Sequence, residues 1–343
     1  MNEEEPGRSE MSGPTQEEMS FRGLLGKALG QTDPLPLNDL HLLSGMMPEE
    51  ARIFMEWWFL ASVEGRQQLL HTLVELAESS FEMDFGAVFE HCLDDEDEEV
   101  RRTAVEGLWE DESPSLVQPL VEMLLEDPSV VVREAAAISL GRFAHMAEMG
   151  ELDAQRSAAT REALSSVVHS SREDLRVRRR AIESIAHLSL DNLRQIIDAA
   201  YGDENRLLRI SALFAMGRSA DTFWRGTVIS ELSNDDPEFR SEAARACGEL
   251  VARAAVPVLS RLVEDRDGEV RTAAIWALGQ IGGEQAREIL FTCCESDADL
   301  IQESAEEALA ELEIGTTFLD MLTCELDDDV MMPEEGFDWD LEA

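Results

Sequence analysis

The sequence predicts an all-α protein assembled from stacked helix pairs. Three observations carry this: a five-residue pattern that recurs along the chain, the interval at which it recurs, and the lack of any convincing strand. The pattern is plainest in residues 263–283, VEDRDGEVRTAAIWALGQIGG, as Val270-Arg271, Ala274, Leu278 and Gly279. It returns as Val132-Arg133, Ala136, Leu140, Gly141, then as Leu208-Arg209, Ala212, Met216, Gly217, and as Phe239-Arg240, Ala243, Cys247, Gly248. Weaker copies are Val100-Arg101, Ala104, Leu108, then Val177-Arg178, Ala181, Ile185, and last Ile301-Gln302, Ala305, Leu309. The marker position falls at 101, 133, 178, 209, 240, 271 and 302, so intervals of 32 and 45 are followed by four of 31. A fixed period of this size marks a repeat array.

Each copy makes sense as one helix pair. Counting from the arginine, apolar residues at −1, +3, +4 and +7 form the core stripe of an amphipathic helix. Alanine at +3 lets a neighbouring helix come close, and glycine at +8 suits a helix end. An acidic turn such as Glu126-Asp127-Pro128 or Asn234-Asp235-Asp236-Pro237 precedes the helix, where side-chain oxygens cap free N–H groups. The partner helix lies upstream, as in Pro119 to Leu125 or Val256 to Val263. One pair cannot bury both its faces, but stacked pairs can.

Outside the repeat, residues 1–34 read as a disordered acidic tail with a short helix at Phe21 to Leu29. Residues 35–82 read as an N-terminal helical capping region, in which Phe54, Trp57, Trp58 and Phe59 seal the open end of the array. The 45-residue interval exceeds the period by 14, which predicts an inserted loop around Gly150. Just beyond it, Arg172, Arg176, Arg178, Arg179 and Arg180 make a basic cluster. Residues 314–343 read as an acidic C-terminal tail ending EEGFDWDLEA.

Charge narrows the function. The chain has 28 basic and 73 acidic residues, a net charge of −45, with Lys27 its only lysine and no base beyond Arg287. Such a surface repels phosphate backbones and anionic membranes, so neither nucleic acid nor membrane is expected as a partner. The N-terminus lacks the basic and apolar regions of a signal peptide, and no run of about 18 apolar residues exists to span a bilayer. Five cysteines without a CxxC pair suit reduced thiols, and the cytoplasm is the expected compartment.

Pro119, Asp127, Val132, Arg133 and Pro257, Asp265, Val270, Arg271 match the Pro, Asp, Val, Arg signature of HEAT repeats. The chain resembles that family over roughly residues 83–313, and its short period looks most like the phycobilisome-lyase-type branch. The resemblance implies a right-handed α–α superhelix, a HEAT-repeat solenoid of about seven 31-residue helix pairs with an N-terminal helical cap. It also implies a ladder between neighbouring repeats, with Asp95, Asp127, Asp203 and Asp265 serving Arg101, Arg133, Arg209 and Arg271, and with Arg240 at a seam of the same kind. The third copy has Arg172 at the aspartate position and the last lacks the arginine, so the ladder is expected to falter there.

Chemistry has few candidates. A HEAT-type hydroxylase binds two irons through repeated His-Glu dipeptides, and none of His41, His71, His91, His145, His169 and His187 is followed by glutamate. No metal site, cofactor or catalytic group is therefore predicted. Cys293-Cys294 read as core packing, and an EF-hand starting at Asp265 fails because its twelfth residue is Trp276. HEAT-type solenoids bind on their concave face, where positions +1 and +5 would offer Arg179, Ile210, Phe214, Arg245 and Trp276. The tail with Phe337 and Trp339 reads either as a solvated segment that aids solubility or as one that docks on that face some of the time. The function expected is thus a monomeric, non-catalytic protein-binding scaffold with a protein partner of unknown identity. An enzyme or enzyme subunit resembling bilin lyases, a HEAT-type oxidoreductase and an acidic nucleic-acid mimic are the alternatives.

Overall fold

The computed structural model describes residues 16–29, 37–80, 82–296 and 298–328. Among them every regular element is a helix. The chain packs as two units, Met1–Leu188 and Ser189–Ala343. In the first unit the helices are α1 (Gln16–Ala28), α2 (Pro48–Trp58), α3 (Val63–Ser79), α4 (Gly86–Cys92), α5 (Glu98–Gly107), α6 (Val117–Glu126), α7 (Val130–Met149), α8 (Ala154–His169) and α9 (Leu175–Ile185). In the second they are α10 (Leu193–Tyr201), α11 (Arg206–Arg218), α12 (Arg225–Glu231), α13 (Pro237–Glu249), α14 (Val256–Leu262), α15 (Gly268–Ile281), α16 (Glu284–Cys294) and α17 (Asp299–Asp328). The all-α repeat architecture expected from the sequence is present.

Seven helix pairs, α4/α5 to α16/α17, follow the sequence period, and α2/α3 stands before them. The second helices pack in succession, α3 on α5, α5 on α7 and α7 on α9 in the first unit, then α11 on α13, α13 on α15 and α15 on α17 in the second. The core stripe is what this packing buries. Val100, Val132, Val177, Val270 and the alanines Ala104, Ala136, Ala181, Ala212, Ala243 and Ala274 are all sealed from solvent. The acidic turns cap the second helices as expected: Asp97 accepts from the Val100 amide, Asp236 from Glu238, and Asp267 from Glu269 and Val270.

The recurring glycine has a different purpose from the one its position suggested. Gly141, Gly217, Gly248 and Gly279 lie inside α7, α11, α13 and α15, and none has a positive φ. A Cβ at Gly141 would sit 2.8 Å from Ser184 Oγ, at Gly217 2.9 Å from Ala246 Cα, at Gly248 3.0 Å from Ala277 Cα, and at Gly279 2.9 Å from Ala308 Cβ. These glycines let the next second helix approach rather than end their own. The true left-handed cap is Gly150, with φ 78°, closing α7. That same region corrects the insertion: the extra residues lengthen α7 to 20 residues and α8 to 16, leaving a short turn at 150–153 instead of a binding loop.

Both ends depart from the expected boundaries. The short helix expected at Phe21 to Leu29 is present as α1 but begins earlier, at Gln16, and it buries Phe21, Leu24, Leu25 and Ala28. It packs on α2, where Gly26 admits the Trp57 ring at 3.3 Å from its Cβ position. In the capping region Phe54 and Trp58 are fully buried, Trp57 is half-buried and Phe59 is 73% exposed. Helix α17 runs to Asp328, well into the stretch read as a tail. Phe337 and Trp339 lie outside the described residues.

Candidate functional site

Two features organise the polar chemistry of the stack: a ladder of arginines along the turns and a groove on the second helices. Three ladder arginines, Arg101, Arg133 and Arg240, divide their donors. In Arg101, Nη1 donates to the Asp95 and Glu96 carbonyls of its own turn, while Nε and Nη2 take Asp127 of the next copy at 2.7 and 2.9 Å. Arg240 does the same, with Nη1 on the Asn234 and Asp235 carbonyls and the fork on Asp265 at 2.9 and 2.8 Å. Arg133 holds the Asp127 carbonyl and reaches Glu173 at 3.2 and 2.8 Å. The ladder therefore continues past Arg172, because the acid has shifted one residue along the turn. These bidentate contacts hold Asp265 below the usual carboxylate range, the Arg240 hydrogen bond being the main cause.

Other ladder positions use other partners. The copy after Arg209 offers Asn234 instead of aspartate, and the Arg209 guanidinium lies 4.9 Å over the Phe239 ring and 5.8 Å from Tyr201. Asp203 accepts from the Asn205 amide within its own turn. The sequence reading missed one rung altogether. Arg66 of α3 is buried and pairs with Asp95 at 3.1 Å and Glu96 at 2.9 Å, and Trp58 Nε1 donates to the same Asp95 at 2.7 Å. Leu69, Leu70 and Leu73 stand at +3, +4 and +7 from it, so the pattern was there with Gly65 in place of the leading apolar residue.

The residues expected on a binding face are scattered in their exposure. Ile210 is buried. Phe214 is half-buried with the Arg218 guanidinium 5.4 Å over its ring. Trp276 is half-buried, and its ring occupies the space that a Cβ at Gly248 would need. Arg245 is exposed, 3.9 Å from Glu269. Arg179 of α9 lies in the first unit, beside Glu183 at 3.9 Å.

The groove lies in the first unit, on α3, α5 and α7. It has a volume of about 490 Å³, with walls of Val74, Val105, Ala135, Trp109 and Ile138 and a polar edge of Glu78, Glu106, Ser139 and Arg142. Trp109 and Ile138 are 54% and 52% exposed, large apolar surface for a water-facing position. Trp109 sits at +8 from Arg101, the place held by the close-approach glycine elsewhere. Helix α5 ends at Gly107, so Trp109 lies just past it, and its exposed ring walls the groove. Arg142 donates to the Leu108 carbonyl at 3.1 Å and to the Trp109 carbonyl, tying down the end of α5. Burial pulls its guanidinium below its ordinary value, against the pull of Asp111 and Glu112. A tryptophan at a glycine position was the available signal.

The class these features define is an all-α array of repeated helix pairs. The sequence model of HEAT repeats matches residues 87–156 and 227–310, which supports the HEAT resemblance; nothing singles out the phycobilisome-lyase-type branch. The chain is 24% identical to deoxyhypusine hydroxylase-B of Oryza sativa subsp. japonica over 216 residues, 62% of this chain and 66% of that one, just under two thirds of its length. It is 21% identical to deoxyhypusine hydroxylase of Eremothecium gossypii over 269 residues, 71% of this chain and 82% of that one. Among solved structures, human deoxyhypusine hydroxylase in complex with glycerol is 18% identical, covering 87% of this chain and 97% of that one at a TM-score of 0.35. These relatives correct the expectation of a non-catalytic scaffold, since the curated proteins this chain matches are named as enzymes.

An iron pair of the His-Glu type does not fit the residues present. All six histidines lie between positions 41 and 187, and none precedes a glutamate. Among the described residues no three His, Cys, Asp or Glu side chains are grouped so as to hold a metal ion. His145 and His187 do meet edge to face, at 5.6 Å, but without a third donor group. Among the described residues no helix is long and apolar enough to cross a membrane.

Proposed function

We propose that this chain is an enzyme, or the substrate-holding subunit of one, in the class of the deoxyhypusine hydroxylases. The observation behind the reading is its likeness to curated hydroxylases over 62% and 71% of its length. Because the residues do not fit paired iron, the role assigned to them is substrate holding. A deoxyhypusine side chain is a long aliphatic amine, and the groove has matching parts. Trp109 and Ile138 offer an apolar wall, and Glu78 and Glu106 carry charge opposite to an ammonium, Glu106 while also pairing with Arg102. The protein partner is then the polypeptide that bears this side chain, and the cytoplasm the compartment.

The test is binding of a deoxyhypusine-bearing polypeptide to the full chain, measured by calorimetry against the same polypeptide bearing unmodified lysine. Trp109→Ala and Glu106→Gln are each expected to weaken binding about tenfold. Binding that ignores both substitutions, or no binding at all, refutes the reading. A bilin-lyase role rests on the 31-residue period alone, and the visible absorbance of protein purified from its native cell tests it.

A further inference from the structure

One turn of the second unit holds a strained and exposed valine. The residue eleven places after the marker arginine has a positive φ in three successive copies: Ala220 at 51°, Val251 at 47° and Gly282 at 63°. Glycine takes that conformation freely, alanine at some cost, and a β-branched side chain only under constraint. Val251 nevertheless stands there, and it is 43% exposed, so burial returns little of the cost. It lines a cleft of about 410 Å³ together with Ile229, Ala254, Arg225 and Arg253. Arg225 is fixed in place by its Nε and Nη2, which donate to the Leu250 carbonyl at 2.9 and 2.7 Å. Both arginines are exposed. An apolar cleft with two guanidinium groups stands out on a chain of net charge −45.

We propose that residues 329–343 of this chain dock in the cleft, with Trp339 against Ile229 and Val251 and neighbouring carboxylates against Arg225 and Arg253. That segment lies outside the described residues, and its sequence is DVMMPEEGFDWDLEA. Aromatic and aliphatic side chains set among acids are the complement of an apolar cleft with two arginines. Most of the chain's surface repels such a segment, so local cations choose its place. Reach permits the contact. Helices α13, α15 and α17 hold the same place in successive pairs, so α17 points to the edge on which Val251 follows α13. Two helix layers separate them, about 20 Å. With 30 residues to the 14 of α15, α17 runs past that edge by about 24 Å. The fifteen residues beyond it span about 50 Å when extended, enough to fold back. Tethering sets an effective concentration of order millimolar, so a weak contact suffices. The cleft belongs to the second unit and the groove to the first, and this proposal stands whether or not the hydroxylase reading does.

The experiment is brief digestion of the full chain with chymotrypsin, with cleavage after Phe337 and Trp339 read by mass. A synthetic peptide of residues 326–343 gives the rate for an undocked segment. In the full chain that rate is expected to fall about tenfold, and equally at low and high protein concentration. Arg253→Glu, at an exposed turn position, should restore the peptide's rate, and so should high salt. Trp339→Ser leaves the folded part untouched and should restore cleavage after Phe337. Val251→Gly should also release the segment while raising the unfolding midpoint, since it removes both the apolar wall and the strained φ. Arg245→Glu should leave the protection as it is. The proposal is overturned by cleavage of the full chain at the peptide's rate, or by protection that Arg253→Glu leaves intact. Protection lost with Arg245→Glu alone overturns it by placing the segment on the concave face. Protection that grows with protein concentration overturns it by making the occupant's source a second copy.

Discussion

Replacing Arg240 with alanine tests the ladder where its geometry is most complete. The substitution removes two charged hydrogen bonds to Asp265 and two to the carbonyls of Asn234 and Asp235. A hydrogen bond to a charged partner contributes about 1.5–3 kcal/mol when it is out of water. Here the two side chains keep 16% and 12% exposure, and Asp265 retains the Asp267 amide at 2.9 Å, so solvent and the turn recover part of the loss. The expected destabilisation is ~2–3 kcal/mol in urea unfolding at neutral pH. Arg206→Ala is the control. It also breaks a contact to an aspartate, Asp236 at 2.6 Å, but Arg206 is 47% exposed, so its loss should be only ~0.5 kcal/mol. A double-mutant cycle of Arg240→Ala with Asp265→Ala should give a coupling above ~1 kcal/mol. Since Arg240 lowers the folded pKa of Asp265, its stabilisation is full above the unfolded value near ~3.9 and fades as pH falls through the folded pKa. The cost of Arg240→Ala should therefore shrink at pH 3. Equal losses for Arg240→Ala and Arg206→Ala, or a coupling under ~0.5 kcal/mol, would refute the ladder as a source of stability.

Gly248→Ala should destabilise by ~1–3 kcal/mol in the same assay, because its Cβ would press on the Trp276 ring and on Ala277. Gly226→Ala, in α12 with nothing within 4 Å, should stabilise by ~0.4–1 kcal/mol; opposite signs at the two sites are the check. Trp58→Phe removes the indole N–H from Asp95 and should lower stability by ~1–2 kcal/mol, measured by thermal melting. Burial pushes the Cys247 thiol up to about 12 and raises Cys92 as well, so both should resist a thiol reagent until the chain unfolds. Rapid labelling of either in the native protein, located by peptide mass, would contradict their burial.

The fold was legible because packing repeats: every copy must bury the same stripe, so the same residues recur at the same spacing. What the sequence hid was anything that depends on the gap between neighbouring helices. Glycine at +8 reads as a helix end by local rules, and only the packed neighbour shows that it makes room for Ala246, Ala277 or Ala308. The groove was missed for the same reason. Position +5 pointed to Phe214 and Trp276, which turn out to be partly covered, while Trp109 fell in a weak copy and drew no notice. Arg66 escaped because Gly65 broke the apolar-arginine pair, although its helix carries the full core stripe. The enzyme relatives match an alternative that the family resemblance had offered, a HEAT-type oxidoreductase, which was set second because the metal-binding dipeptides that would announce it are not in the chain.

Because Arg101, Arg133 and Arg240 are each anchored backward on their own turn and reach forward for an acid, the ladder has a direction that helix packing alone would not give it. Cut after any copy, and the last arginine is left holding nothing ahead. Cut before it, and the leading aspartate is still held by its own turn, as Asp127 is by the Ser129 amide and Asp265 by the Asp267 amide. Synthesis runs in the same sense. At Arg101, Arg133 and Arg240 the newly made copy brings the acid that closes the fork of the copy before it. A growing chain waits with an arginine in water, where a guanidinium is at ease, and never with an unpartnered carboxylate at a buried seam.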